Sequence, residues 1–272
     1  MRRLEIEEIR ERQLQMLDWF DRYCKEKKLL YSMCGGTLLG AVRHQGYIPW
    51  DDDIDIMMPR KDYDTLLKNE IHDSKYEILS PFATYKPPFP YSYIKLWDKE
   101  TVLYEKPKTK RIKSRIYIDI YPIDGLPDDA ENSKKYFEYM KKRNLAFIAL
   151  RLSFYNYKYG TLRHKFFWRL TNVFAQIINS SEFLRKSTQI AKRYNFEESN
   201  YVGNVTCSGY GIKERMSRHI FDDIIEMKFE NRKFKAISGY DEYLKNLYGD
   251  YMTLPPKEKQ VLSHDYVAYL EE

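Results

Sequence analysis

Four aspartates lie within five residues of one short segment, and their spacing indicates metal-dependent chemistry. The segment reads WDDDIDI over residues 50–56, and its aspartates are Asp51, Asp52, Asp53 and Asp55. Carboxylates this close repel one another, and their apolar neighbours make them harder to solvate. In a strand, alternate side chains share a face, so Asp53 and Asp55 would point one way. Ile54 and Ile56 would then point into the core.

A further carboxylate, Asp119, lies in the segment RIYIDIY, residues 115–121, which also alternates like a strand. Its isoleucines share one face, and Asp119 lies on the other. We therefore predict that Asp53, Asp55 and Asp119 form a binding site for one or two divalent cations. Oxygen ligands favour Mg²⁺, Mn²⁺ or Ca²⁺ over zinc. An acidic surface loop is the alternative, above all for Asp51 and Asp52. A calcium loop of the EF-hand type is disfavoured, since its sixth position would be Ile56 rather than glycine.

Two glycines precede the aspartates and indicate a phosphate site. Gly35 and Gly36 separate a predicted strand, residues 29–34, from a predicted helix, residues 37–43, which Thr37 would cap. Glycines let backbone N–H groups approach an anion, and a helix N-terminus adds partial positive charge. Phosphate on this turn and metal on the carboxylates together predict phosphoryl or nucleotidyl transfer. The Asp-x-Asp spacing alone is weak evidence, because nucleotide-sugar glycosyltransferases carry it too.

The elements that must position these residues alternate between helices and strands. Helices are predicted over residues 3–28, 37–43, 60–69, 130–152, 162–193 and 240–248, and strands over residues 29–34, 54–58, 76–79, 91–97, 101–104 and 115–121. This order favours an α/β (α+β) fold, a mixed sheet with flanking helices and a helical subdomain. We expect a catalytic core in residues 1–130, a basic and aromatic helical subdomain in residues 131–200, and a C-terminal segment, residues 201–272, that packs back on the core.

Composition indicates the class of protein and its cellular compartment. Of the 272 residues, 43% are apolar and 32% charged, which is typical of a globular protein. Cys24, Cys34 and Cys207 suit neither a disulfide framework nor a zinc site. Without a signal-peptide pattern or a membrane-spanning run, we expect a cytoplasmic protein, peripheral at the inner membrane face.

The basic–aromatic segment, residues 141–186, holds ten Lys or Arg residues and one acidic residue, with aromatic residues between them. Solvated helix faces are one interpretation of this pattern. A surface for anionic lipid and a site for a phosphate-bearing substrate are the others. No nucleic-acid motif is present, so we expect no nucleic-acid partner.

The segment GGTLLGAVRHQGYIPWDDDIDIMMPRKDYD, residues 35–64, resembles the signature of the LicD family, to which fukutin and fukutin-related protein are similar. The segments YIDIYPIDG, residues 117–125, and YLKNLYGDYMTLPP, residues 243–256, resemble further family segments. The resemblance implies a nucleotidyltransferase-like fold and a phosphotransferase that uses Mg²⁺, or Mn²⁺. It implies transfer of phosphocholine from CDP-choline to a hydroxyl of a cell-surface glycan, of teichoic acid or lipopolysaccharide type, with release of CMP.

Matched by motif, the resemblance also implies roles for single residues. Asp53, Asp55 and Asp119 would be the metal ligands, and Gly35, Gly36 and Thr37 the phosphate turn. Arg43 and His44 would reach the donor pyrophosphate, although Arg43 could instead pair with Asp51 or Asp52. Asp119 or Asp51 would accept the proton of the attacking hydroxyl. Lys95 is a weaker phosphate candidate, and its alternative is a solvated lysine on a sheet face. The residues that would stack on a base or a trimethylammonium group, or pack in the core, are Trp50, Tyr91 and Tyr93.

Several competing functions stay open at this point. A relative could transfer glycerol phosphate or ribitol phosphate in place of phosphocholine. A true nucleotidyltransferase would attach the nucleotide to its acceptor, and a non-enzyme would bind glycan with the metal in a structural role. Because such glycans are often built on a lipid carrier, we also expect a lipid-linked acceptor and peripheral membrane contact through the basic–aromatic segment.

Overall fold

A computed structural model describes residues 1–69, 73–83, 85, 89–105, 112–152, 178–262 and 266–271 of the chain. Within these ranges helices and strands are mixed along the chain, which confirms the predicted α/β class. The helices are α1 (Ile6–Lys27), α2 (Gly35–His44), α3 (Arg60–Lys68), α4 (Ala130–Leu152), α5 (Ser180–Ala191) and α6 (Tyr240–Tyr248). A short 3-10 helix spans Gly211–Glu214.

The strands form a central seven-stranded sheet, a four-stranded sheet and a hairpin. In chain order they are β1 (Arg2–Arg3), β2 (Ser32–Met33), β3 (Asp55–Pro59), β4 (Tyr76–Leu79), β5 (Ile94–Asp98), β6 (Thr101–Glu105), β7 (Ile112–Ser114), β8 (Tyr117–Leu126), β9 (Tyr201–Gly203), β10 (Met216–Ser217), β11 (Ile224–Phe229), β12 (Arg232–Ile237) and β13 (Tyr266–Leu270). The central sheet runs β10-β9-β8-β3-β2, and β5 pairs with β8 and with β4. The smaller sheet runs β1-β13-β6-β7, and β11 pairs with β12.

Strand β8 is the strand of the central sheet that pairs with three others. It pairs parallel with β3 and antiparallel with β5 through its first half, then antiparallel with β9 through its last residues. The strand continues past Pro122, where the sequence predicts its end. Proline donates no ladder hydrogen bond, and Pro122 lies between the last residue paired with β5 and the first paired with β9. The exchange of partners therefore removes the need for its missing N–H.

The first predicted strand begins later than the sequence predicts, and the difference has a local cause. The strand predicted over residues 29–34 is only Ser32–Met33. Lys28 adopts the left-handed conformation that ends α1, and the Leu29 N–H donates back to the Cys24 carbonyl, so this stretch caps a helix. The strand predicted over residues 54–58 is confirmed within one residue as β3, and Asp53 lies in the loop before it. The alternation itself is confirmed, because Ile54 and Ile56 are both fully buried.

The main hydrophobic core joins the first 126 residues to the C-terminal segment. Its members come from α1, α2, the central sheet, the β11–β12 hairpin and α6. A second, smaller cluster holds α4 and α5 against the end of β8, through Leu126, Phe137, Met140, Ala191 and Val205. The predicted boundaries at residues 130 and 200 stay a prediction.

The basic–aromatic segment falls largely outside the described residues, as does the first part of the helix predicted over residues 162–193. Of its described part, Lys141, Lys142, Arg185 and Lys186 are exposed. Arg151 is buried, and its guanidinium donates to the Phe89 carbonyl and the Ser181 hydroxyl, so it is not available to a surface partner. None of the helices in the described ranges has the length and hydrophobicity that crossing a membrane requires.

Candidate active site

Helix α2 begins at the first of the two glycines. Gly35 has φ +53°, in the left-handed region that favours glycine, and Cys34 takes the N-cap position in extended conformation. The predicted cap by Thr37 is therefore wrong, because the helix starts two residues earlier. The turn of the predicted phosphate site is thus the first turn of α2.

Thr37 holds Asp55 instead of capping the helix. Its buried hydroxyl oxygen accepts the backbone N–H of Asp55 at 2.8 Å. The backbone N–H of Cys34 donates to the Asp55 carbonyl at 3.0 Å. These two bonds fix the first residue of β3 against the N-terminus of α2. Asp55 is therefore placed by backbone hydrogen bonds on both sides.

The two glycines make room for two carboxylates. A Cβ atom on Gly36 would lie 2.5 Å from Oδ2 of Asp51, and one on Gly35 would lie 3.2 Å from Oδ2 of Asp55. The absence of side chains thus lets Asp51 and Asp55 reach the helix N-terminus, where partial positive charge favours anions. The role of the glycines as a phosphate turn stays a prediction.

The loop that carries Asp51 and Asp52 is held by hydrogen bonds from distant side chains to its backbone. Arg10 on α1 donates to the Asp51 carbonyl at 2.6 Å, and Gln13 donates to the Asp52 carbonyl at 3.0 Å. The Tyr266 hydroxyl donates to that same Asp52 carbonyl at 3.1 Å. Asp52 is buried, so the interpretation as a surface loop is wrong for this residue.

Asp55 and Asp119 lie opposite each other on the parallel strands β3 and β8. The hydroxyl of Tyr121 lies 3.3 Å from Oδ1 of Asp55 and 3.3 Å from Oδ2 of Asp119. The hydroxyl of Tyr93 lies 3.3 Å from Oδ2 of Asp119 as well. The structure therefore brings these two predicted site carboxylates together and links them through tyrosine.

Repulsion among the carboxylates is strong at Asp55. Burial raises the pKa of Asp55 well above its ordinary value, and the charges of Asp53, Asp119 and Asp51 raise this pKa further, while Lys95 opposes them. Asp51, Asp52 and Asp53 each offer an oxygen within 4.8 Å of the others. This group shares only Asp53 with the predicted metal ligands Asp53, Asp55 and Asp119, which stay a prediction. A divalent cation would relieve the repulsion, and carboxylate oxygens are ligands that suit Mg²⁺ or Mn²⁺.

Lys95 contacts a carboxylate in the structure. Its Nζ lies 2.6 Å from Oδ1 of Asp119 and 3.3 Å from the centre of the Tyr117 ring. Lys95 is 1% exposed, so the alternative of a solvated lysine is wrong. The antiparallel register of β5 against β8 pairs the two residues directly. Phosphate binding by Lys95 stays a prediction, and its observed partner is Asp119.

Arg43 and His44 lie at the opposite end of α2 from Gly35, about 12 Å away along the helix axis. The Arg43 guanidinium donates to the Tyr251 carbonyl at 2.7 Å and to Nε2 of His44 at 3.0 Å. Burial and the charge of Arg43 lower the pKa of His44, so the imidazole accepts as a neutral group. Their predicted contact with the donor pyrophosphate is untested, and both have protein partners.

A cavity of about 220 Å³ opens beside Asp55. Its lining includes residues from five separate parts of the chain, Asp55, Tyr93, Tyr121, Tyr210 with Glu214, and Tyr243. Three of the lining residues are predicted site residues, Gly35, Asp55 and Tyr93. The two other residues predicted to stack on a ligand, Trp50 and Tyr91, are half-buried, and Trp50 packs on the core and on His44.

Sequence reasoning misses Glu214, which ends the 3-10 helix. Its carboxylate accepts hydrogen bonds from the Ser208 hydroxyl at 2.8 Å and the Tyr210 N–H at 3.1 Å. Burial raises the pKa of Glu214 to about 7. No spacing or motif in the surrounding sequence marks this residue, because its place in the site depends on how the C-terminal segment packs on the sheet.

Comparison with known proteins identifies relatives along nearly the whole chain. Residues 28–147 match the family described as LicD/FKTN/FKRP, nucleotidyltransferase domain. The chain is 31% identical over 275 residues to a Haemophilus influenzae protein named lipopolysaccharide cholinephosphotransferase LicD, an alignment that covers 96% of this chain and 98% of that protein. Uncharacterized proteins of Rickettsia prowazekii and Rickettsia typhi are 54% identical to it over 37 residues, about 14% of this chain.

Proposed function

Because this chain belongs to the LicD family, we propose that it transfers phosphocholine from CDP-choline to a hydroxyl group of a glycan and releases CMP. The name of the Haemophilus relative, which is aligned over almost its full length, supports phosphocholine as the transferred group and lipopolysaccharide as the class of acceptor. A teichoic acid acceptor is the alternative glycan. We place the reaction on the cytoplasmic side, with a lipid-linked acceptor at the inner membrane face.

The convergence of carboxylates at the N-terminus of α2 is the observation that supports this chemistry. Asp53, Asp55 and Asp119 would hold Mg²⁺, or Mn²⁺, with Asp51 beside them. When bound, the ion would neutralise charge on the phosphate oxygens. Burial and the charges of Asp53, Asp119 and Asp51 raise the pKa of Asp55, which is the structural reason to expect a cation there. The helix N-terminus adds partial positive charge on the same side.

Other residues of the chain position these carboxylates. Thr37 fixes the backbone of Asp55, while Lys95 and Tyr121 fix the carboxylate of Asp119. The acceptor hydroxyl attacks the phosphorus that bears choline, and CMP leaves. Asp119 or Asp51 accepts the proton from that hydroxyl.

Product analysis tests this proposal. The protein is incubated with CDP-choline, Mg²⁺ and a lipopolysaccharide acceptor, and the Asp55→Asn variant serves as control. We expect the wild-type protein to release CMP and to attach phosphocholine to the glycan. The Asp55→Asn variant should do neither. Release of phosphocholine with CMP on the acceptor would show nucleotidyl transfer, as would release of pyrophosphate in a parallel incubation with CTP in place of CDP-choline. Turnover of CDP-glycerol or CDP-ribitol but not CDP-choline would show a polyol phosphate transferase.

Peripheral membrane contact follows as a separate proposal. The exposed Lys141, Lys142, Arg185 and Lys186 belong to the basic–aromatic segment, and each could contribute about 1 kcal/mol beside an anionic surface. Sedimentation with anionic vesicles at low salt should carry the protein into the pellet, and high salt should release it. A protein that stays in solution with anionic vesicles at low salt would contradict membrane contact.

A further inference from the structure

The cavity beside Asp55 has the charge of a cation site. The described residues that line it include two carboxylates, Asp55 and Glu214, and no Lys, Arg or His. Most of the other lining residues are apolar or aromatic, among them Met57, Ile123 and Met216. An anionic group would gain nothing from such walls, whereas a bulky cation with an apolar surface would be attracted by both the charge and the contact area.

Glu214 is a buried carboxylate held in place by neutral donors. It is 8% exposed, and its hydrogen-bond donors are the Ser208 hydroxyl and the Tyr210 backbone N–H. No described Lys, Arg or His forms an ion pair with it. An ionised carboxylate is costly to bury without a counter-charge. A cationic ligand in the cavity would supply that charge.

Four tyrosines line the same cavity, and their hydroxyl groups already have protein partners. These contacts join Tyr93 to Asp119, Tyr121 to Asp55 and Asp119, Tyr210 to Tyr248, and Tyr243 to the Gly35 N–H. With the hydroxyls engaged, the rings offer the ligand mainly aromatic surface. Aromatic walls beside a carboxylate are a recognised site for quaternary ammonium groups, which have no hydrogen to donate. A polyol would instead need free hydroxyls and amides.

We propose that this cavity binds the quaternary ammonium head group of the donor, with Glu214 as its counter-charge and the four tyrosines as its walls. The proposal rests on the proposed function, since it identifies where phosphocholine binds. Asp55 lines the cavity too, so a head group near Glu214 leaves the attached phosphate beside the carboxylates at the N-terminus of α2. Glu214 is therefore a specificity-determining residue and takes no part in bond breaking.

Binding to matched donors tests the role of charge. Affinities for CDP-choline and for its neutral isostere, the CDP ester of 3,3-dimethylbutanol, are measured by calorimetry in Mg²⁺ buffer. We expect the wild-type protein to prefer CDP-choline by roughly tenfold or more. In Glu214→Gln the ratio of the two affinities should fall to about one to two, while the affinity for CDP is unchanged. Glu226→Gln removes the same charge from an exposed position of β11 and should leave the preference intact.

A second pair of variants tests the aromatic wall. The Tyr210 ring is at the cavity, and its hydroxyl meets Tyr248 at 3.1 Å. Tyr210→Phe keeps the ring and should keep the preference for CDP-choline, whereas Tyr210→Leu should reduce it severalfold. Tyr210 is 47% exposed, so both variants should fold even if Glu214→Gln does not. Equal preference in the Phe and Leu variants would contradict an aromatic wall.

The outcomes separate this inference from the function it rests on. A wild-type protein that binds CDP-glycerol or CDP-ribitol more tightly than CDP-choline would overturn the proposed function. A wild-type protein that prefers CDP-choline, together with a folded Glu214→Gln variant that keeps the full preference over the neutral isostere, would overturn the inference alone. The head group would then bind elsewhere in the active site.

Discussion

The ammonium group of Lys95 lies 2.6 Å from Oδ1 of Asp119, and both side chains are buried. Sequence analysis predicts the two residues as parts of one site but assigns them to different ligands, phosphate and metal. The register of β5 on β8 instead pairs them with each other. One carboxylate oxygen of Asp119 is therefore ion-paired with Lys95 in the active site.

We expect Lys95→Met to destabilise the protein by about 3–5 kcal/mol, because it leaves the Asp119 charge buried without its partner. Urea unfolding measures the loss. Lys113→Met breaks the exposed contact with Glu271, which should change stability by about 1 kcal/mol or less. The double variant Lys95→Met/Asp119→Asn should recover much of the loss. Equal destabilisation by the single and double variants would show that the charge of Asp119 is not the cause.

Asp55→Asn should abolish transfer and leave the protein folded, and Asp53→Asn should do the same. In metal-free buffer the melting temperature of Asp55→Asn should match or exceed that of the wild type, since the repulsion at this buried group is removed. Mg²⁺ should raise the melting temperature of the wild type and not that of the variant. Turnover of either variant within about threefold of wild type would contradict its role as a metal ligand.

Substitution of Gly36 should disturb the site through Asp51. A Cβ atom at this position would lie 2.5 Å from Oδ2 of Asp51, so Gly36→Ala should cost about 1–3 kcal/mol of stability and weaken binding of the CDP-linked donor. Gly36→Val should block donor binding. The destabilisation by Gly36→Ala should largely disappear in an Asp51→Ala background, where the crowding carboxylate is absent. Chemical denaturation of the four proteins measures this coupling, and a coupling near zero would contradict the contact.

Thr37→Val should reduce activity because it disturbs the position of Asp55. The change removes the acceptor of the Asp55 N–H and leaves a buried donor without a partner, a cost of about 1–3 kcal/mol. Thr37→Ser keeps the oxygen and should stay near wild type in both stability and turnover. If Val and Ser variants behave alike, the hydrogen bond does not position Asp55. Unfolding curves and initial rates are recorded on the same preparations.

The stability of the protein should depend on pH through Glu214. Burial raises the pKa of this residue to about 7 from its ordinary 4.5, so the folded state binds the proton more tightly than the unfolded state. Its contribution is fully present below pH 4.5 and is lost as the pH rises through about 7. The loss is on the order of 3 kcal/mol. Glu214→Gln should therefore show a flatter dependence of unfolding free energy on pH across this window.

The cysteine and tyrosine neighbours of Glu214 do not obscure that measurement. Burial raises the pKa values of Cys34, Cys207, Tyr210 and Tyr243 above their ordinary values, so these groups stay neutral throughout the window. Unfolding free energies of wild type and Glu214→Gln at several pH values give the comparison. Parallel curves for the two proteins would show that Glu214 is already ionised in the folded state near neutral pH.

Local pattern is sufficient to predict the elements that carry the aspartates of the site. Strand alternation predicts that Ile54, Ile56, Ile118 and Ile120 are buried, and all four are fully buried in the structure. Alternation places these isoleucines on one face of each strand, and that face packs on the core. Tyr117 and Asp119 on the other face of β8 are buried as well, which alternation does not predict. The segment from Gly35 onward likewise indicates the family through its residue types and their spacing.

Tertiary structure decided which distant residues complete the site. Lys95 meets Asp119 because of strand register, Thr37 meets Asp55 because α2 begins at Gly35, and Glu214 reaches the cavity from a short 3-10 helix. Each contact joins parts of the chain that carry no local signal of their partner. Register and packing depend on the summed burial of many side chains, so one residue's neighbours in sequence do not specify its neighbours in space.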